Sequence, residues 1–251
     1  MHGDMIKTKA AGSPLFQARI GGLLYLLIIV GGLFAPFAVA PSGMLLGDAA
    51  LPTAAKIVAS RSTYVLGGVA QLLVYACDIG VAVVFYNLLR PVGENIILLA
   101  TFFRLVFVAI ASANMLNHFA PLILLSDPDF LHAFTPDQIQ SLAMAFIKLR
   151  TFGFDIALLF FGIHCILIGY LIFRSTFLPR VLGLMLTIGG VGYLSSILSA
   201  LIPPAIRAIL FPYIMLPAGI AEVSLTLWLI IVGVNVTRWK EQAMSPQSEG
   251  Y

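Results

Sequence analysis

The sequence predicts an all-α fold, a polytopic transmembrane bundle of about six spanning helices. Three observations carry that reading. The 251 residues are 60% hydrophobic and only 10% charged, where an ordinary soluble domain carries about 25% charge. Apolar stretches of roughly 20 residues recur along the chain, the length at which a helix crosses about 30 Å of hydrocarbon. The short alternating strands that a β-barrel requires are not apparent.

The spans read, in order, as Arg19–Ala40, Tyr64–Leu89, Asn95–His118, Thr151–Phe173, Val181–Ile202 and Tyr213–Thr237. Residues 1–18 form a cytoplasmic N-terminal segment, 19–237 the transmembrane domain, and 238–251 a short polar cytoplasmic tail. Pro41, Pro91, Pro121, Pro179, Pro203, Pro204 and Pro212 punctuate the span ends, because the residue before a proline avoids the α region. Pro36 and Pro217 fall inside the first and sixth spans and predict kinks or early breaks there. Lys7, Lys9 and Arg19 before an apolar run ending Ala38-Val39-Ala40 also suit a cleaved signal peptide. The run is longer than a signal core and Pro41 follows it, so the first helix reads as retained.

Orientation follows from the lysines and arginines in short loops. With the N-terminus inside, the cytoplasmic set is Lys7, Lys9, Arg19, Arg90, Arg174, Arg180, Arg238 and Lys240. It outnumbers the outer set of Lys56, Arg61, Lys148, Arg150 and Arg207. Both termini are therefore predicted to be cytoplasmic. Two longer connections, Pro41–Thr63 and Phe119–Arg150, fall on the outer side. The first is mildly amphipathic over Thr53–Arg61. In the second, Thr135-Pro136-Asp137 reads as a helix start, with Thr as cap and Pro at the first helical position. A helix from Pro136 can then run through Lys148 into the fourth span.

The net charge is +3, with basic residues near span ends, which suits lipid headgroups and makes no case for nucleic acid. Cys77 and Cys165 lie in apolar spans and read as packing residues. No metal or cofactor is indicated. His164 and Cys165 are adjacent and point apart on a helix, and no HExxH or CxxC occurs. Ser195, Ser196 and Ser199 lack a GxSxG context and suit close helix approach better.

Function is most legible in the polar groups within apolar spans: Asp78, Arg104, Asp155, His164 and Glu222, with His118 near an end. Such groups are costly in hydrocarbon and normally face a partner or a cavity. At about 1.5 Å per helical residue, Asp78, Arg104 and His164 all lie some 15–18 Å from the cytoplasmic helix ends, with Glu222 near the same layer. Gln71, Tyr75 and Asp78 follow i, i+4, i+7 and form one stripe. Arg104, Ala111 and His118 share a face of the third span, and Glu222, Thr226, Leu229 and Gly233 one of the sixth. Asp155 and His164, nine residues apart, point to opposite sides of the fourth. Arg104 is expected to pair with Asp78, Glu222 or both, since guanidinium makes two-point contacts with carboxylates. One arginine between two carboxylates leaves a negative charge. A protonated carboxyl, a cationic His164 or a bound proton or cation would balance it.

One stretch has a recognisable pattern: Gly162-Ile163-His164, Gly169-Tyr170-Leu171, Arg174-Ser175, Phe177-Leu178-Pro179-Arg180 and Leu182-Gly183. Supporting pieces are Ala18 through Tyr25, Cys77-Asp78, Phe103-Arg104-Leu105, Gly192-Tyr193, and Glu222 through Leu225 followed by Leu227-Trp228-Leu229. From about Ala18 to Gly233 the chain resembles a family of bacterial multi-pass membrane proteins catalogued as domain of unknown function 4386. The resemblance implies a six-helix bacterial inner-membrane protein with its first helix retained, and no established activity, substrate or site residue.

The candidate binding residues are therefore Asp78, Arg104, Glu222, His164, Gln71 and Tyr75, the expected partners a lipid bilayer and a small lipophilic or amphiphilic ligand. Three other readings stay open. A membrane enzyme would use Asp78 or Glu222 as acid or base, with Arg104 fixing an anionic group. A proton-coupled transporter would load one carboxylate, although no inverted repeat is visible and a homo-oligomer would be needed to supply a pathway. A purely structural ion network is the last.

Overall fold

The computed structural model describes residues 13–39, 50–126, 131–199, 202 and 204–245. Lys7, Lys9, Pro41, Asp48, Asp127, Pro128, Asp129, Pro203 and the end of the tail lie outside them. Among the described residues there are eight helices and no strands. They are α1 (Pro14–Val39), α2 (Ala50–Ala59), α3 (Arg61–Leu89), α4 (Glu94–Leu124), α5 (Pro136–Arg174), α6 (Arg180–Ser199), α7 (Pro204–Ile231) and α8 (Val236–Met244).

Among the described residues, five of these are long and apolar enough to cross a membrane: Pro14–Leu33, Arg61–Leu89, Glu94–Leu124, Pro136–Arg174 and Tyr213–Ile231. The fifth expected span falls on α6, whose described apolar part, Arg180–Ser195, is shorter. The protein is a multi-pass helical membrane protein. Its helices form a closed ring, α1 against α3, α3 against α4, then α4–α5, α5–α6, α6–α7, and α7 back against α1. Consecutive neighbours are what short connections favour. Chain order does not dictate the α1–α7 closure.

The helix limits differ from the sequence reading in instructive ways. α1 starts more than a turn before Arg19, because Ser13 Oγ accepts from the Phe16 amide at 3.2 Å and Pro14 takes the first helical position. α5 begins as expected, with a full capping box. Thr135 Oγ1 accepts from Gln138 N at 3.3 Å and Gln138 Oε1 accepts from Thr135 N at 2.9 Å. From there α5 runs 39 residues without a break. Pro121 does not stop α4 but sits inside its last turn; bundle packing around a buried proline tolerates this. α1 and α7 likewise continue past Pro36 and Pro217. The sixth span, by contrast, does not reach Thr237. Gly233 takes a φ of 75° and its amide returns to the Trp228 carbonyl at 2.8 Å, a glycine stop. α8 then starts with Asn235 accepting from the Arg238 amide at 3.1 Å.

Glycines let α5 and α6 touch backbone to backbone. A Cβ on Gly169 would lie 2.6 Å from the Gly183 carbonyl oxygen, and one on Gly162 would lie 2.8 Å from that of Gly190. The reverse contacts are equally close, so two glycine pairs seven residues apart on each helix set the α5–α6 distance. On its other side, α6 uses Gly189 against the Ala218 backbone of α7. Of the serines expected to serve this purpose, Ser195 turns its Oγ back to the Gly192 carbonyl at 2.6 Å, and the side chains of Ser196 and Ser199 lie outside the described residues.

Candidate functional site

Arg104 lies at the centre of the ring, fully buried on α4. Its Nη2 donates to Asp78 Oδ1 of α3 at 2.5 Å, and its Nη1 is 3.0 Å from His164 Nε2 of α5. The other ring nitrogen, His164 Nδ1, is 2.8 Å from the carbonyl of Ala100, one helical turn before Arg104. Guanidinium can only donate and a carbonyl can only accept. His164 therefore accepts at Nε2 and donates at Nδ1, which is the neutral imidazole in a single tautomer. Of the three ways of balancing the layer, a cationic His164 is the one that these two partners disfavour.

Aromatic faces close the cluster. The guanidinium carbon is 5.3 Å from the Tyr25 ring centroid of α1 and 5.4 Å from that of Phe161 of α5, within the range of cation–π attraction. Phe161 also stacks on His164 at 5.7 Å and meets Tyr193 of α6 edge-on at 5.2 Å. The Arg104 Nε is buried without a partner among the described residues.

Glu222 on α7 stands in the same layer and makes a different pairing. It lies in the field of Arg104 and Asp78 but beyond ion-pair distance of the arginine, which among the described residues pairs with Asp78. Its Oε1 accepts from the Tyr193 hydroxyl at 2.7 Å, with Tyr25 beside it. On α7 the buried face is Ala218, Ala221, Leu225 and Leu229. Glu222 sits at the flank of that face and keeps partial exposure, while the apolar neighbours Ile220 and Val223 face outward.

Two of the remaining predicted residues continue the α3 stripe from Asp78, and Tyr75 reaches the cluster through Phe107, whose ring is 4.7 Å from that of Phe161. Tyr75 is buried one turn from Asp78, edge-on to Phe107 at 6.2 Å, and Gln71 is partly buried beyond it. His118 is fully buried and stacks on Tyr64 at 4.2 Å; Tyr64 Oη donates to the His118 carbonyl at 2.8 Å. Asp155 is also buried, as His164 is, nine residues before it on α5. Among the described residues no three His, Cys, Asp or Glu side chains gather closely enough to hold a metal ion.

Tyr25, Phe161 and Tyr193 were not among the predicted site residues. Phe161 has no polar signal at all. Tyr25 has a depth signal hidden by the helix boundary: counted from Arg19 it lies about 9 Å into the span, but from Pro14 about 16 Å. With the three added, every helix of the ring contributes to one mid-bundle cluster.

The profile of the family described as Domain of unknown function (DUF4386) matches residues 20–233. The chain is also similar to an uncharacterized protein of Archaeoglobus fulgidus. The two are 29% identical over 161 residues, which is 64% of this chain and 80% of that protein. No solved structure matches the chain.

Proposed function

Because the chain belongs to the family described as Domain of unknown function (DUF4386), whose description names no activity, we propose its function from the polar layer itself. The protein binds a small amphiphilic ligand from the membrane, with Glu222 and Tyr193 as the receiving groups. Asp78, Arg104 and His164 form the rigid floor behind them. One observation carries this reading. Asp78 and Arg104 cancel, His164 is neutral, and Glu222 is the carboxyl left over, on the partly exposed flank of α7. A carboxyl in an apolar layer is stabilised by a hydrogen-bond donor or a cation. A long-chain amine or alcohol supplies either, together with an apolar tail that suits the surrounding surface.

The enzyme reading would need Arg104 to hold an anion with its remaining N–H groups, since two of the five already bond Asp78 and His164. Tyr75 and Gln71 continue the α3 stripe from Asp78 and remain candidate lining residues of the same site. The excess of basic residues on one side supports an orientation with both termini cytoplasmic, and the family resemblance supports a bacterial inner-membrane location.

Thermal unfolding in a neutral detergent with dodecylamine and dodecanol tests the site. A ligand at a hundredfold its dissociation constant stabilises by about 2.7 kcal/mol, so saturable stabilisation is expected in the wild type. Glu222→Gln should abolish the amine response, and Tyr193→Phe should weaken both. Absence of any response in the wild type, or equal responses in both variants, overturns the reading.

A further inference from the structure

A second site lies at the opposite extreme of polarity, where α5 ends and α6 begins. There the Ser175–Pro179 turn and α8 enclose an open cleft of about 740 Å³, a volume typical of small-molecule sites. α8 is held against the turn by several bonds. Asn235 N donates to the Phe177 carbonyl at 3.3 Å, and Gln242 Oε1 accepts from both the amide and the hydroxyl of Thr176 at 3.0 Å. Trp239 Nε1 donates to the Leu88 carbonyl at 2.8 Å, fixing α8 across the end of α3 as well. The cleft is a built feature of the bundle end.

Its lining carries two arginines and one carboxylate. Arg180 and Arg238 reach it from different elements, and Glu241 shares the lining. Arg180 is exposed, its guanidinium carbon 5.8 Å from the Phe173 ring. Arg238 makes a long 3.4 Å contact to the Thr176 carbonyl. Because a backbone amide can only donate, Gln242 is oriented with Oε1 on Thr176, which turns its NH₂ into a donor for a guest. Two guanidinium groups and an amide suit a phosphate. Glu241 would oppose a bare phosphate but would accept from a hydroxyl attached to one.

The level of the cleft identifies where such a group comes from. Arg174 and Arg180 lie over Tyr170 and Phe173 at the ends of apolar helices, and Trp239 bonds the end of α3. Arginine and aromatic side chains at helix ends mark the headgroup zone of a bilayer. We propose that the cleft between the α5–α6 turn and α8 binds the phosphodiester headgroup of an anionic, hydroxyl-bearing membrane lipid. Arg180 and Arg238 hold the phosphate and Glu241 accepts from the headgroup hydroxyl. This site is independent of the Glu222 layer.

Native mass spectrometry of the full chain, released from mixed phosphatidylglycerol and phosphatidylcholine micelles, tests the assignment. The wild type should retain phosphatidylglycerol in preference to phosphatidylcholine. Arg180→Gln and Arg238→Gln should each lower that preference about tenfold, the loss of one direct charge-assisted hydrogen bond to the phosphate. Arg174→Gln and Lys240→Gln, which remove equal charge at the same end outside the cleft, should leave it unchanged. Equal loss in all four variants, or no preference in the wild type, overturns the site. If glycerol phosphate or inorganic phosphate alone competes the lipid off at millimolar concentration, the cleft is a soluble-phosphate site and the lipid assignment fails. A thermal melt of each variant confirms that a lost preference is not lost folding.

Discussion

Arg104 donates to His164 Nε2 while His164 donates onward to the carbonyl of Ala100, the residue one turn below Arg104 on the same helix. The histidine thus bridges a side chain and a backbone group of α4 from α5. Replacing it with leucine removes the acceptor for a buried charged donor, which costs about 1–3 kcal/mol or more. Glutamine carries an acceptor and a donor on one planar group and can serve both partners. His164→Gln is therefore expected to melt closer to the wild type in detergent than His164→Leu, despite being the more polar change.

Breaking the Asp78–Arg104 pair from one side should be worse than removing it. Asp78→Ala leaves Arg104 buried, charged and without its 2.5 Å partner, a loss of about 3–5 kcal/mol. The double variant Asp78→Leu with Arg104→Met has no charge to strand and is expected to lose less than Asp78→Ala alone. Chemical or thermal unfolding of the two in the same detergent checks the order.

The glycine contacts predict opposite signs for the same substitution. Gly169→Ala and Gly183→Ala drive a methyl group into facing backbone, which cannot swing aside, and should destabilise by about 1–3 kcal/mol. Gly219 has nothing within 4 Å of its added Cβ, so Gly219→Ala should stabilise by up to about 1 kcal/mol through helix propensity. Unfolding midpoints of the three variants decide the matter.

The Thr135 cap predicts a local effect. Thr135→Ala removes one half of the capping box at the free end of α5 and should cost about 0.5–2 kcal/mol there. Hydrogen exchange should quicken over the first turns of α5, while the glycine-packed half beyond Gly162 stays protected.

The polar layer was legible in the sequence because depth along a helix is a count of residues from its end. Asp78, Arg104 and His164 were placed at one level by that count, and they meet. Partner choice was not legible. Periodicity says which residues share a face of one helix and not which neighbour that face meets. Hence Glu222 could be assigned to Arg104 from the sequence, while in the fold it bonds Tyr193. Phe161 was invisible for a related reason: an apolar residue gains a polar role only from the guanidinium set against it. Pro121 misled because a proline near the end of a helix forfeits one hydrogen bond, which packing within a bundle offsets.

The sequence by itself determined the class of the protein, the approximate spans, the start of α5 and the depth of its charged groups. All of these follow from local properties: composition, run length, capping chemistry and rise per residue. The tertiary structure alone decided that α1 closes the ring on α7, that Arg104 is shared between Asp78 and a neutral His164, and that α8 folds back onto the α5–α6 turn. These depend on how each helix is rotated about its axis and on which backbones can approach. That is settled by packing between segments far apart in the chain, such as the glycine pairs that bring α5 against α6.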